Sequence, residues 1–302
     1  MVDLTDCKQE INKFGGSENK LSLIYDNRRY MVKFPDPIRQ KDNSLSYMHN
    51  VFSEDIGCKI FKVLGFDTQN TFLATYRLQS GKQKIVVACE DFTQDGGTLI
   101  EFSKLALQNV ENGSVRTQAE IENIMDTLRY SNGISDRNAS IARFWDMFIV
   151  DGLIQNRDRN LDNWGFIQND DGGLNLAPIY DCGSSLSPLI TEEIMRERLL
   201  NEAVFKREEY NVYSSFRHHH KRILFSEIMK NPKKELKSSI LKLVPIIKDN
   251  MTKINQIIED TPKITDIHKD YLKKGLTLRL ENILLKSYKQ QKALSMGFAR
   301  VR

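Results

Sequence analysis

None of the four cysteines, Cys7, Cys58, Cys89 and Cys182, stands in a C-x-x-C pair, so neither a zinc site nor a disulfide framework is indicated. Cysteines scattered in this way suit a reducing compartment. The N-terminus, Met1-Val2-Asp3-Leu4-Thr5-Asp6, lacks the basic and apolar regions of a secretory signal. No apolar run approaches the roughly 18 to 20 residues needed to span a bilayer. Excess charge of either sign is also missing: 44 Lys and Arg against 40 Asp and Glu leave a formal +4, which gives little footing for dedicated nucleic-acid binding. Neither internal repeats nor low-complexity tracts interrupt the chain. These absences point to a soluble globular protein made in the cytoplasm. Its 302 residues can bury a large core, as one big domain or two lobes.

Two patterns divide the chain. Short β-branched and aromatic runs fill the first ninety or so positions. Leu21 to Tyr25 and Arg29 to Phe34 flank Asp26-Asn27-Arg28 and predict a hairpin, stopped by Pro35 and Pro37. Residues 47–64 predict a helix with Val51, Ile56, Ile60, Phe61 and Leu64 on one face, ending at Gly65. Asn70 to Thr75 and Lys84 to Ala88 predict two more strands, which completes a small α+β lobe. From about residue 93 onward the periodicity is helical, and a stripe from Ile240 to Ile258 runs to Thr261-Pro262 with Pro245 expected to kink or split it. The boundary between lobes falls near Cys89-Glu90-Asp91-Phe92, and ligands favour such clefts.

One polar cluster stands out in the second half. Asn156 to Asn163 ends the helical run Ile141, Phe144, Trp145, Phe148, Ile149 and leads directly into Trp164-Gly165-Phe166. Beyond it, Asn169-Asp170-Asp171-Gly172-Gly173 is the turn of a hairpin, and Asp181 follows that hairpin in Ala177-Pro178-Ile179-Tyr180-Asp181. A hairpin folds its two ends together, so Asn163 and Asp181 should meet at its mouth. Phosphoryl transfer asks for this set: a carboxylate for the acceptor hydroxyl, Asp158, and an amide and a carboxylate for Mg²⁺, Asn163 and Asp181.

The first lobe offers matching groups. Gly15-Gly16-Ser17 precedes the first hairpin strand, where paired glycines let backbone N–H groups turn toward phosphate oxygens. Lys33 shares a strand face with Met31, and a Lys on an apolar face needs an anionic partner; Glu54, in the first turns of the next helix, is placed to supply it. Glu90 to Phe92 form the hinge whose backbone would meet adenine.

With Gly15-Gly16, Val32-Lys33-Phe34-Pro35, Glu54, Asp158 to Asn163 and Ala177 to Cys182 in this order, the chain resembles the HipA-like Ser/Thr protein kinases, and among them the short, cell-translocating branch. The resemblance spans nearly the whole chain. It implies an α+β, bilobal protein-kinase-like fold, with residues 1–92 as a β-rich N-lobe and 93–302 as a larger, mostly helical C-lobe. It also implies ATP and Mg²⁺ as cofactors, Asp158 as catalytic Asp, Asn163 and Asp181 as metal ligands, Lys33 as phosphate-binding Lys and Glu54 as its partner. Two departures are visible. Asn160 stands where the family usually has His, so an amide must support the loop. HipA itself carries an extra antitoxin-binding subdomain, and the stretch before Gly15 has no room for one, which argues against an antitoxin partner.

The expected function is therefore ATP- and Mg²⁺-dependent transfer of the γ-phosphoryl to a Ser, Thr or Tyr hydroxyl of a protein substrate, with autophosphorylation. A small-molecule or lipid kinase is the enzymatic rival, and a nucleotide-binding interaction protein with little turnover is another class; intact Lys33, Asp158, Asn163 and Asp181 argue against the latter. The expected location is the bacterial cytoplasm, with export toward host cells as the alternative that the translocating branch implies. His218-His219-His220 and the tail Lys286 to Arg302 are taken as a solvated basic segment and a charged helix face.

Overall fold

A computed structural model describes residues 1–11, 19–39, 45–108 and 119–299. Gly15, Gly16 and Ser17 lie outside the described residues. The first strands are β1 (Val2–Asp3), β2 (Lys8–Glu10), β3 (Lys20–Tyr25) and β4 (Arg28–Lys33). A small ribbon of β5 (Pro37–Arg39) and β6 (Leu45–Tyr47) leads to helix α1 (Asn50–Val63), then to β7 (Thr71–Arg77) and β8 (Gln83–Glu90). The main sheet has six strands in the order β1-β7-β8-β4-β3-β2, antiparallel except for the β1–β7 pair. Asp26 and Asn27 turn β3 into β4 at φ 48° and 59°, a left-handed pair that short polar side chains tolerate and whose twist suits a hairpin.

Period two explains how this sheet sits. On β8, Val86 and Ala88 join Leu23, Val32 and Ala74 in an outer apolar cluster, while Val87 and Cys89 face the main core with α1. Lys33 pairs with Val87 and Met31 with Cys89, so both belong to the α1 face.

The rest of the chain is mostly helical: α2 (Phe102–Gln108), α3 (Ile121–Tyr130), α4 (Arg137–Ile154), α5 (Glu192–Leu200), α6 (Glu202–Tyr210), α7 (Phe225–Ile228), α8 (Lys234–Glu259), α9 (Asp266–Arg279) and α10 (Leu285–Ala299), with a π-helical turn at Leu280–Leu284. Three corrections to the sequence reading arise here. The hairpin β10 (Gly165–Gln168) and β11 (Leu174–Leu176) gains a third strand, β9 (Thr98–Glu101), from the region read as helical. A second hairpin, β12 (Tyr213–His218) and β13 (Lys221–Leu224), turns at His219 and His220 with φ 51° and 63°. Such turns favour Asn-Gly, so a His-His pair gave no turn signal. Finally, α8 is one helix through Pro245. Proline costs about 3 kcal/mol in a helix interior. Burial of Ile240, Leu243, Val244 and Ile247 outweighs it, at roughly 1.5 to 3 kcal/mol per side chain.

Helix α4 is the spine beneath the site. Asp136 caps it by accepting from the Ala139 N–H at 2.9 Å, and Gln155 ends it in the left-handed conformation at φ 59°. Gly152 is its tightest point, because a Cβ there would run into the Phe225 ring. Gly152→Ala should therefore destabilise the protein by about 1 to 3 kcal/mol although alanine is the better helix former by about 1 kcal/mol. Urea unfolding checks this, and a stabilised variant would contradict the close packing.

Candidate active site

Lys33 is the last residue of β4, and the sheet face it occupies would be apolar without it. Its side chain crosses toward α1 and meets Glu54 Oε2 at 2.9 Å, and on the other side Asp181 Oδ1, also at 2.9 Å. Lys33 is 5% exposed and Glu54 1%. An unpaired ammonium in such a place would be costly, and two carboxylates meet that demand. Glu54 also reaches the next segment with its other oxygen. Oε1 accepts the N–H of Cys182 at 2.8 Å, which ties the residue after Asp181 to α1. Asp181 itself sits at φ 56°, and its side chain remains 31% exposed. Burial would raise its carboxyl, but the Lys33 ammonium, together with the charges of Arg159 and Lys20, holds it below the usual carboxylate range.

Behind the polar loop lies an ion pair that the sequence reading missed. Asp151, on α4, takes Arg159 through Nε at 3.0 Å and Nη2 at 3.2 Å. Arg159 Nη1 then donates to the Asn163 carbonyl at 2.7 Å and to the Tyr180 carbonyl. One nitrogen thus bridges the end of the loop and the residue before Asp181. Burial pulls the Arg159 pKa down, and Asp151 more than offsets this with help from Cys182 and Asp181, so the net shift is upward and the guanidinium stays charged. Asn156 completes the support: its amide donates to Asp151 at 3.1 Å while its oxygen accepts the Asp158 N–H at 3.2 Å. The available signal was Asp151 among Phe148, Ile149, Val150, Leu153 and Ile154, an acid in an apolar run that requires a partner.

The front of the loop faces solvent. Asp158 is an exposed residue whose carboxyl is nonetheless pushed up by partial desolvation, and the Asn160 amide donates to its Oδ1 at 3.2 Å. Asn160 also accepts the Asp162 N–H at 2.8 Å, so the amide supports the loop at both ends. Asn163 donates its Nδ2 to the Asp158 carbonyl at 2.7 Å, which leaves its Oδ1 without a partner among the described residues. Tyr180 adds a hydroxyl donated to the Asp162 carbonyl at 2.9 Å.

At the hinge, the Glu90 N–H donates to Asn70 and its carbonyl accepts from Gln69 Nε2, each at 2.9 Å, while the Asp91 N–H is taken by Arg29. The Glu90 side chain is bound by Arg28 and Asn70. Phe92 differs: its backbone groups have no partner among the described residues, and its ring lies 5.6 Å from that of Tyr180.

A buried Lys–Glu pair beneath a sheet, an acid–amide loop and a second acid after a hairpin define a kinase-like phosphotransfer fold. The HipA-like C-terminal domain profile matches residues 13–250, and the chain belongs to the HipA-like protein kinase family. It is 34% identical over 289 residues to the serine/threonine-protein kinase CtkA of Helicobacter pylori, covering 94% of this chain and 86% of that one. The crystal structure of the proinflammatory kinase CtkA from Helicobacter pylori superposes with a TM-score of 0.87 at 32% identity, covering 97% of this chain and 99% of the other. HipA from Shewanella oneidensis, in a complex with HipB and operator DNA, gives a TM-score of 0.53 at 16% identity over 95% of this chain and 68% of that one, a likeness of fold alone.

Asp151→Asn should leave Arg159 buried against a neutral amide. Breaking a buried pair from one side costs about 3 to 5 kcal/mol, so a large drop in stability is expected. Chemical denaturation reads it, and a loss below about 1 kcal/mol would show that Arg159 does not depend on Asp151.

Proposed function

We propose that this protein is an ATP- and Mg²⁺-dependent kinase that phosphorylates Ser or Thr on a protein substrate. The observation that carries the reading is the Lys33 ammonium held between Glu54 and Asp181, with the Asp158–Asn163 loop fixed to the same Asp181 segment through Arg159. Lys33, kept rigid by Glu54, is suited to hold nucleotide phosphates. Phe92, whose backbone groups have no partner among the described residues, is the candidate for the base.

The oxygens present fit a hard dication. Asp181 Oδ2 and Asn163 Oδ1 carry no hydrogen bond from the described residues, and both are the oxygen type that Mg²⁺ prefers. Mg²⁺ is ordinarily held by one or two protein oxygens together with waters and substrate phosphates, and this pair would supply the protein's share. Bound there, the ion would neutralise charge developing on the transferred phosphoryl group.

Asp158 is suited to orient and accept the proton of the acceptor hydroxyl. Its raised pKa brings it nearer to a working base, while Asn160 holds it in place. The relatives named above support a protein acceptor over a lipid or small molecule, since this chain matches a serine/threonine-protein kinase along most of its length.

Incubation with labelled ATP, Mg²⁺ and cell lysate should place label on protein; label confined to lipid or small solutes would overturn the reading. Asp158→Ala should reduce that labelling by roughly 10² to 10⁴-fold with ATP affinity nearly unchanged. In the wild type, labelling should fall as acid protonates Asp158, because only the carboxylate accepts a proton. Turnover of the variant within a few-fold of wild type would remove Asp158 from this role.

A further inference from the structure

A cavity of about 340 Å³ lies apart from the Lys33–Asp181 cleft and shares no residue with it. Its walls come from α3, α4, the β12–β13 hairpin, α7 and the head of α8: Ile121, Ile223, Leu224, Ile228 and Leu236 make it apolar. The volume falls in the range of small-molecule sites, roughly 300 to 1,000 Å³.

Two features of its lining bear on what it could hold. The first is Trp145, which is 2% exposed and offers the cavity an aromatic wall. Aromatic rings pack well against the apolar body of a small ligand. The second is the charge at the rim. Lys233 is taken by Glu122 at 3.1 Å, and His218 Nδ1 stands 2.8 Å from the same carboxylate. Lys221 and Arg222 form no salt bridge among the described residues; the Arg222 side chain donates to the carbonyls of Ser214, at 3.1 Å, and Arg157, at 3.4 Å, and its charge is felt by Asp158. Glu227 is the acid that lines the cavity against them. The planar fork of Arg222 suits a carboxylate.

We propose that this cavity binds a small amphipathic carboxylate, its apolar body against Trp145, Ile223 and Leu236 and its anionic head at Lys221 and Arg222. The proposal does not depend on the phosphotransfer reading.

Octanoate is the probe. The chain has two tryptophans, so the ¹⁵N-labelled protein gives two indole N–H signals, and the Trp145 signal is assigned with Trp145→Phe or, should that variant not fold, by its proximity to the Ile223 and Leu224 methyls. Octanoate should shift the Trp145 signal saturably at sub-millimolar concentration and leave Trp164 unmoved. Octylamine, of equal chain length and opposite charge, should move neither. The exposed double variant Lys221→Gln, Arg222→Gln should weaken octanoate binding by about tenfold or more, through lost charge-assisted bonds. The proposal is overturned if octanoate leaves the Trp145 signal in place, if octylamine shifts it equally, or if the double variant binds as wild type does.

Discussion

A single buried ammonium organises the first half of this molecule. Lys33 ends a central strand, and the only way to keep its charge beneath the sheet is to bring carboxylates to it. One comes from α1 and the other from the segment after the β10–β11 hairpin, each at 2.9 Å. The sheet, the helix and the Asp181 segment are therefore tied at one atom. Because Glu54 also accepts the Cys182 N–H, the position of Asp181 follows from that of α1. Gly57 explains the close approach: a Cβ there would lie 2.6 Å from the Cys182 Cβ.

The second half solves a different problem with the same means. A polar loop must hold its shape while presenting groups to solvent. Its back is fixed by Asp151, Arg159 and Asn156, all buried, and its front carries exposed Asp158. In the proposed reading this division suits a kinase. The reacting carboxylate stays available to an acceptor, and the loop behind it needs no further ordering when substrate arrives.

Much of this was legible because the chemistry constrains residue types. A Lys on an apolar strand face with a Glu in the following helix announces a buried pair, and the Asp158-to-Asn163 spacing with Asp181 beyond a Gly-containing turn announces the loop and its partner. The hairpins at Asp26-Asn27 and Asn169 to Gly173 were visible through turn chemistry. Arg159 was not, since between Asp158 and Asn160 it looks like one more solvated charge; only the fold shows that Asp151 lies beneath it. The β12–β13 turn was hidden by His219 and His220, which adopt positive φ without the residues that usually signal it. Glu90 was read as a hinge group, yet strand pairing and Gln69 occupy its backbone, a constraint invisible until β7 and β8 are aligned.

If Lys33 and Glu54 act through one contact in nucleotide binding, their losses cannot be independent. Calorimetric titration of MgATP into wild type, Lys33→Met, Glu54→Gln and the double variant tests this directly. Met keeps the length of the side chain and removes its charge, so the fold should persist while affinity falls. Glu54→Gln should show a milder loss, and the double variant should bind little more weakly than Lys33→Met alone, with a coupling of about 0.5 to 3 kcal/mol. Losses that simply multiply would contradict the single contact.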